Sequence, residues 1–182
     1  MKKLLAIAAL AAASLSASAQ VYVGGSVGYW HDATEKTNSF VLRPEIGYEV
    51  NEKWSFGTTV GYTYADAEGV SADLFEFSPY ARYNYFRTDD GRLNLFVDGQ
   101  VGIGVGSADY DGSDSSETAV YWNVGFRPGV SLNISEHFSF VAKFGFLGYQ
   151  GADKNSEVIG IHEGGGFDFS TQELSFGFHY TF

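Results

Sequence analysis

The side chains with the most potential for chemistry are charged residues that lie at alternate positions within otherwise apolar segments. They comprise four cations and five carboxylates: Arg43, Glu45, Glu49, Glu76, Arg82, Asp98, Arg127, Lys143 and Glu173. Charges removed from water require partners, and the two signs nearly balance, so the pattern predicts a paired network. The alternative is a narrow path for protons or ions along the same side chains.

Two histidine–carboxylate pairs offer a second kind of chemistry. His31-Asp32 and His162-Glu163 lie next to polar segments, and a carboxylate beside histidine can orient a general base. This would suit an enzyme that modifies lipids at the rim of a membrane protein, but no serine nucleophile stands out. The acidic segment 109–117 is rich in oxygen ligands that could hold Ca²⁺, but their spacing departs from that of an EF-hand loop. We predict no catalytic residue, no metal site and no cofactor.

The elements that position these residues show an alternation of period two from Val21 to Phe182. It divides into eight segments, at 21–29, 39–50, 54–64, 75–85, 93–105, 120–132, 138–146 and 173–182. Each reaches the roughly 9 residues that a tilted membrane strand needs. One face is aromatic or aliphatic, and the other carries glycine, polar residues and the charges above. The sequence therefore predicts an all-β fold, an eight-stranded antiparallel up-and-down transmembrane β-barrel with its charges in the lumen.

The connections between these segments fall into two alternating classes. Short turns are predicted at 51–53, 88–91 and 133–137, and longer, mostly polar and acidic loops at 31–38, 65–73, 107–117 and 150–165. Short periplasmic turns and long extracellular loops are typical of outer-membrane barrels. A soluble barrel of the lipocalin type is the competing interpretation, and the aromatic outer face disfavours it.

The first residues have the pattern of an export signal. Two lysines precede a short apolar run at 4–13, and Ala-Ser-Ala at 17–19 gives the small-x-small pattern that signal peptidase cleaves. We expect a signal peptide of residues 1–19 that is removed to leave a barrel domain of residues 20–182.

Composition excludes several other classes. Loss of two of the 11 basic residues with the signal peptide leaves 9 against 22 acidic ones, a net charge of −13, which argues against binding nucleic acid. The chain has no cysteine, so disulfides and thiolate chemistry are absent. Its three prolines, Pro44, Pro79 and Pro128, fall inside predicted strands without shifting the alternation. We therefore expect them to face lipid without a β-bulge.

Four stretches carry a resemblance to a known family: "RPEIGYEVNEKWSFGTTVGYTY", "FEFSPYARYNYF", "FRPGVSLNISEHFSFVAKFGFLGY" and "LSFGFHYTF". They resemble the outer membrane protein β-barrel domain family, especially members from Bacteroidetes-type bacteria, which are similar to the small barrels of the outer membrane protein A and X type. The resemblance covers essentially the whole mature chain. It implies the fold, a bacterial outer-membrane location and assembly by the barrel assembly machinery, and it implies no reaction.

The last strand matches the signal that this machinery reads in the family, a terminal aromatic residue with aromatics at alternate positions before it. Phe178, Tyr180 and Phe182 occupy those positions. We expect a monomeric, non-enzymatic barrel in contact with outer-membrane lipid. Its lumen would be filled by side chains, and it would serve envelope structure or adhesion through four acidic loops that meet an extracellular partner. The alternatives are a lipid-modifying enzyme at the rim and a narrow channel.

Overall fold

The computed structural model describes residues 20–32, 37–67, 69–110, 116–153, 163–169 and 174–182, and β-strands account for most of them. The strands are β1 (Gln20–Asp32), β2 (Thr37–Glu49), β3 (Trp54–Ala67), β4 (Val70–Arg87), β5 (Leu93–Tyr110), β6 (Ser116–Asn133), β7 (Phe138–Lys143), β8 (Phe146–Ala152), β9 (Gly164–Asp168) and β10 (Ser175–Thr181). Buried and exposed side chains alternate along them, as expected when successive side chains point to opposite faces. The predicted signal peptide lies outside the described residues.

The strands close into one barrel. Each of β1 to β5 pairs antiparallel with the next strand in the chain. Both β7 and β8 pair with β6, so they share the seventh position around the barrel, and β10 and β9 share the eighth beside them. Pairing of β1 with β10, from Tyr22↔Thr181 to Ser26↔Gly177, completes the circle. The predicted fold, a closed eight-stranded antiparallel barrel, is confirmed.

The outer surface is a band of large apolar side chains. On β5, Val101 and Ile103 are 57% and 58% exposed. Gly102, which lies between them, and Gly104, which follows Ile103, are buried on the inner face. Lipid-facing strands show this alternation of apolar outside and polar or small inside. Closure also satisfies the backbone, because hydrocarbon offers no hydrogen bonds to an open sheet edge. No helix among the described residues has the length and apolarity of a membrane span.

Short turns join the strands at the end of the barrel that holds Gln20 and Phe182, which we call the terminal end; the other is the hairpin end. In the turn between β4 and β5, Asp90 accepts hydrogen bonds from Thr88 Oγ1 at 2.6 Å and from the Arg92 amide at 3.1 Å. These bonds hold the pKa of Asp90 below its usual value. All three short turns lie where the sequence predicted them.

The predicted loops at the hairpin end are too long, because the strands continue into each of them. The last ladder pairs on three hairpins are Asp32↔Thr37, Ala67↔Val70 and Asp109↔Ser116. On the fourth, β8 ends at Ala152 and β9 begins at Gly164. The strand residues between the apolar band and the hairpins are polar, as loop residues usually are, although their backbones still pair.

Pro44 and Pro79 have the same effect on the ladder. Two residues of β2 around Pro44 drop out of the pairing with β3, and two of β4 around Pro79 drop out of the pairing with β5. In both cases the register resumes unchanged, as predicted. Proline has no N–H to donate, so the ladder is interrupted on the side that the ring nitrogen faces.

Pro128 differs, and here the prediction that no bulge would form is wrong. The Phe144 amide donates to the Pro128 carbonyl at 3.0 Å, so the proline nitrogen faces the seventh strand position. From Gly129↔Lys143 to Phe126↔Leu147 two residues of β6 oppose three, which is a β-bulge. Gly145 in the bulge has φ +71°. The extra residue inverts the alternation, so Phe146, predicted to face outward, points into the lumen.

Candidate functional site

The charged side chains of the lumen converge on Arg82, whose side chain is 6% exposed. Its Nε and Nη2 donate to the two carboxylate oxygens of Asp98 at 2.7 and 2.9 Å. Nη2 also donates to Glu45 Oε1 at 3.0 Å. Arg82 and Asp98 face each other in the β4–β5 register, while Glu45 reaches across the lumen from β2. The guanidinium therefore bridges two carboxylates in the planar geometry that favours bidentate pairing.

Lys143 completes this arrangement from β7. Its Nζ lies 2.8 Å from Glu45 Oε2 and 3.2 Å from Asp98 Oδ2. Each carboxylate thus contacts both cations, and the four formal charges cancel. We call Glu45, Arg82, Asp98 and Lys143 the lumen cluster. His179 lies beside it on β10, with Nε2 3.3 Å from Glu45 Oε1.

Aromatic side chains enclose the lumen cluster. Tyr80 donates to Glu45 Oε1 at 2.5 Å, and its hydroxyl is hydrogen-bonded to that of Tyr22, also at 2.5 Å. The Phe96 ring, 0% exposed, lies with its centroid 4.0 Å from Arg82 Cζ. A cation over the face of an aromatic ring is attracted by the ring quadrupole. Together these rings cover the ion pairs, and Tyr80 supplies a further hydrogen bond to Glu45.

Glycines on neighbouring strands make room for the rings. A Cβ added to Gly47 would lie 2.2 Å from Tyr22 Cζ, and one added to Gly129 would lie 2.3 Å from Phe96 Cζ. Each glycine is the register partner of the ring that it admits. The large aromatic residues can therefore lie flat against the inside of the barrel wall.

The lumen cluster closes the half of the barrel next to the terminal end. The void beside it measures about 40 Å³, and its lining includes Glu45, Lys143, His179, Arg43 and Arg127. Such a volume holds a few water molecules at most. The arrangement can hold the strands together across the lumen.

The half of the barrel next to the hairpin end is open by contrast. It contains a cavity of about 620 Å³, lined by Arg43, Glu76, Arg127 and by the amides of Gln100 and Asn123. Glu76 accepts hydrogen bonds from the Ser78 and Tyr121 hydroxyls. We call this space the upper cavity.

The remaining predicted residues lie apart from both places. Glu49 is half-buried on the inner face near the terminal end, and Glu173 lies outside the described residues. His31 is exposed at the rim, where Nδ1 is hydrogen-bonded to Asn38 Oδ1 at 2.9 Å. Glu163 accepts a hydrogen bond from Tyr149 at 2.8 Å, and His162 lies outside the described residues. Among the residues that the structure describes, no cluster of acidic or histidine side chains is arranged to hold a metal ion.

Sequence reasoning left four residues out of the charged network: Tyr22, Tyr80, Phe96 and His179. The alternation assigns all four to the inner face, so the face was predictable. Their contacts with Glu45 and Arg82 depend on how high each residue lies in the barrel, which the alternation does not give.

Comparison with known proteins agrees with this geometry. The outer membrane protein beta-barrel domain family matches residues 3–182. A major outer membrane protein from Thermus thermophilus superposes with a TM-score of 0.55 at 14% identity, covering 91% of this chain and 100% of that one. Neisserial surface protein A gives 0.52 at 18% identity, with 90% and 97% covered.

The N-terminal β-barrel domain of Pseudomonas aeruginosa OprF gives a TM-score of 0.51 at 16% identity, covering 90% of this chain and 96% of that one. At these identities the likeness concerns the fold alone. No curated protein matches the chain in sequence.

Proposed function

Because the chain belongs to the outer membrane protein beta-barrel domain family, we propose that it is a non-enzymatic barrel that strengthens the cell envelope and presents its hairpins to extracellular partners. Its location is the bacterial outer membrane. Lipid surrounds its apolar band, and the barrel assembly machinery would recognise Phe178, Tyr180 and Phe182. Phe178 and Tyr180 point outward on β10, Phe182 follows its last residue, and the three side chains are 48%, 44% and 67% exposed.

The observation that carries this proposal is the closed lumen. Arg82 and Asp98 are almost fully buried, and both cations of the lumen cluster contact both carboxylates. An ion could pass only by displacing these contacts, and it is costly to leave one charge of a buried ion pair without its partner. Support for a structural role is therefore stronger than support for a channel.

The enzyme alternative has less support. His31 is hydrogen-bonded to an amide side chain and not to a described carboxylate. A general base also needs a substrate proton within reach and a group that orients it. The hairpins remain the surface through which a partner that prefers acidic groups would bind, since Asp66 and Asp109 lie near the ends of β3 and β5.

Planar-bilayer recording tests the closed lumen. We expect the wild-type barrel to show no stable unitary conductance, and Arg82→Ala with Asp98→Ala, which removes both side chains of the central pair, to show one. A stable unitary conductance of the wild-type barrel would overturn the proposal.

A deletion strain tests the envelope and surface roles separately. We expect loss of the protein to raise sensitivity to detergent, and complementation with a barrel shortened at the β5–β6 hairpin to restore resistance. Attachment to extracellular surfaces should remain low with the shortened barrel. If the deletion changes neither property, both roles are wrong.

A further inference from the structure

The three prolines lie at one level of the barrel wall, where the filled half gives way to the open half. Pro44 on β2, Pro79 on β4 and Pro128 on β6 each precede an outward apolar residue near the terminal end by six positions. Those residues are Val50, Tyr85 and Ile134. At about 3.3 Å per residue, each proline is therefore about 20 Å along its strand from that end. We call this level the proline girdle.

The proline girdle interrupts the seams between hairpins and leaves the hairpins themselves intact. Two residues around Pro44 are missing from the β2–β3 ladder, and two around Pro79 are missing from the β4–β5 ladder. Opposite Pro128, the bulge takes the place of regular pairing between β6 and the seventh strand position. The β1–β2, β3–β4 and β5–β6 ladders run through the same level without a break. The wall from β1 to β6 thus consists of three intact two-stranded ribbons with weakened seams.

The backbone at this level has fewer hydrogen bonds and more freedom. A proline within a ladder removes one hydrogen bond, because its nitrogen has no hydrogen to donate. Gly25, the register partner of Pro44 on β1, has φ +152°, and Gly145 in the bulge has φ +71°. Glycine adopts such conformations at no steric cost, and within strands it marks sites where the chain bends. The proline girdle therefore combines weakened seams with a backbone that bends easily.

The lumen cluster joins the same seams on the side of the terminal end. Arg82 on β4 pairs with Asp98 on β5, directly across one seam. Its contact with Glu45 connects β4 to β2 and spans the second. The contact of Lys143 with Asp98 connects β7 to β5 and spans the third. Every interrupted seam is therefore bridged by an ion pair in the filled half, whereas the upper cavity occupies the lumen on the other side of the girdle.

We propose that the proline girdle is a hinge line, above which the hairpins β1–β2, β3–β4 and β5–β6 tilt against one another as intact ribbons. The filled half stays fixed, because ion pairs as well as ladders hold its seams. The motion changes the width of the barrel toward the hairpin end and leaves the lumen cluster in place. The hairpins thereby adjust to what they contact without opening the barrel, whichever partner that is.

Spin-label distances test the hinge, and the chain has no cysteine that would compete for the label. The upper pair, Phe40→Cys with Val120→Cys, joins exposed positions of β2 and β6 above the proline girdle. The lower pair, Ile46→Cys with Leu132→Cys, joins exposed positions of the same strands below it. In nanodiscs we expect a broader distance distribution for the upper pair than for the lower pair. Equal widths in the otherwise unchanged barrel would overturn the proposal.

Restoring the missing donors tests the cause of the motion. Pro44→Val with Pro79→Val adds two backbone N–H groups and keeps apolar side chains toward lipid. We expect the width of the upper pair to fall to that of the lower pair, which should not change. Hydrogen exchange of the amides of residues 103–108 on β5 should slow about fivefold relative to residues 93–98, as expected when one hydrogen bond is added to a seam.

Leu42→Val with Phe77→Val is the matched control. It changes exposed apolar side chains close to the proline girdle on the same two strands without altering a backbone donor, so both widths should stay as they are. The hinge is wrong if the proline variant leaves the upper pair broad, or if the control narrows it as much. Heat-modifiable migration identifies the folded barrels, and the comparison of the two pairs without further substitution decides the question even if the proline variant does not fold.

Discussion

Replacing Arg82 by methionine should destabilise the barrel more than any other single change of a lumen charge. The variant keeps an unbranched, though shorter, side chain, and among the described residues it leaves Glu45 and Asp98 with Lys143 as their one permanently charged cationic partner, so one negative charge is uncompensated. The Arg82 side chain is 6% exposed and makes three charged hydrogen bonds of 2.7 to 3.0 Å. Removing one partner of a buried ion pair costs about 3–5 kcal/mol.

Graded variants separate charge from geometry. Arg82→Lys keeps the charge but loses the bidentate fork, and we expect a loss of about 1.5–3 kcal/mol. Arg92→Met is the matched control: its side chain is 77% exposed, 3.9 Å from Asp90, and should change stability by less than about 1 kcal/mol. Adding Asp98→Asn to Arg82→Met should recover part of the loss, because it removes the uncompensated charge.

The assay is urea unfolding of the refolded barrel in lipid vesicles, followed by tryptophan fluorescence and by heat-modifiable migration. The free energy of unfolding is compared among the wild type, the three arginine variants, Asp98→Asn alone and the double variant. If Arg82→Met is no more destabilising than Arg92→Met, the lumen cluster does not hold the barrel together. If Asp98→Asn adds its full separate cost to Arg82→Met, the two residues are not coupled and the charge argument is wrong.

Three further outcomes follow from the same geometry. Gly47→Ala should cost about 1–3 kcal/mol, because its Cβ would lie 2.2 Å from Tyr22 Cζ, while Gly28→Ala, whose nearest neighbour is at 3.7 Å, should be tolerated in the same unfolding assay. Deleting Phe182 should slow assembly in cells, measured as a reduced heat-modifiable fraction in the outer membrane, and unchanged assembly would contradict its role as a signal. The mass of the protein purified from outer membranes should correspond to a chain that begins at Gln20, and a mass that includes residues 1–19 would contradict the export signal.

The alternation of the sequence determines which face of the barrel a residue lies on, but not its height. Arg43 and Glu45 show the difference, since both are inward residues of β2. Two residues along a strand correspond to about 6.6 Å, and this separates the lumen cluster from the upper cavity. The height of a residue along the barrel axis depends on the register of every strand pair. A single sequence therefore could not show that Glu45 lies at the height of Lys143 and that Arg43 does not.

Aromatic residues on the inner face posed a related problem. Phe96 has the size and polarity of a lipid-facing residue, yet the alternation of β5 turns it inward. Its position follows from two partners on other strands: Gly129, which admits the ring, and Arg82, which packs on it. Neither partner is near Phe96 in sequence, so the contacts of Phe96 depend on the register of β4, β5 and β6.

Pro128 connects the departure from the alternation with the shape of the lumen. Its nitrogen, which has no hydrogen to donate, faces the seventh strand position. That position gains a residue at the bulge, and β8 continues with inverted phase. The inversion places Phe146 inside, where its ring lies 5.8 Å from the Arg127 guanidinium and lines the upper cavity. Lys143, just before the bulge, still points into the lumen cluster. The bulge thus marks the level at which the filled half of the barrel gives way to the open half.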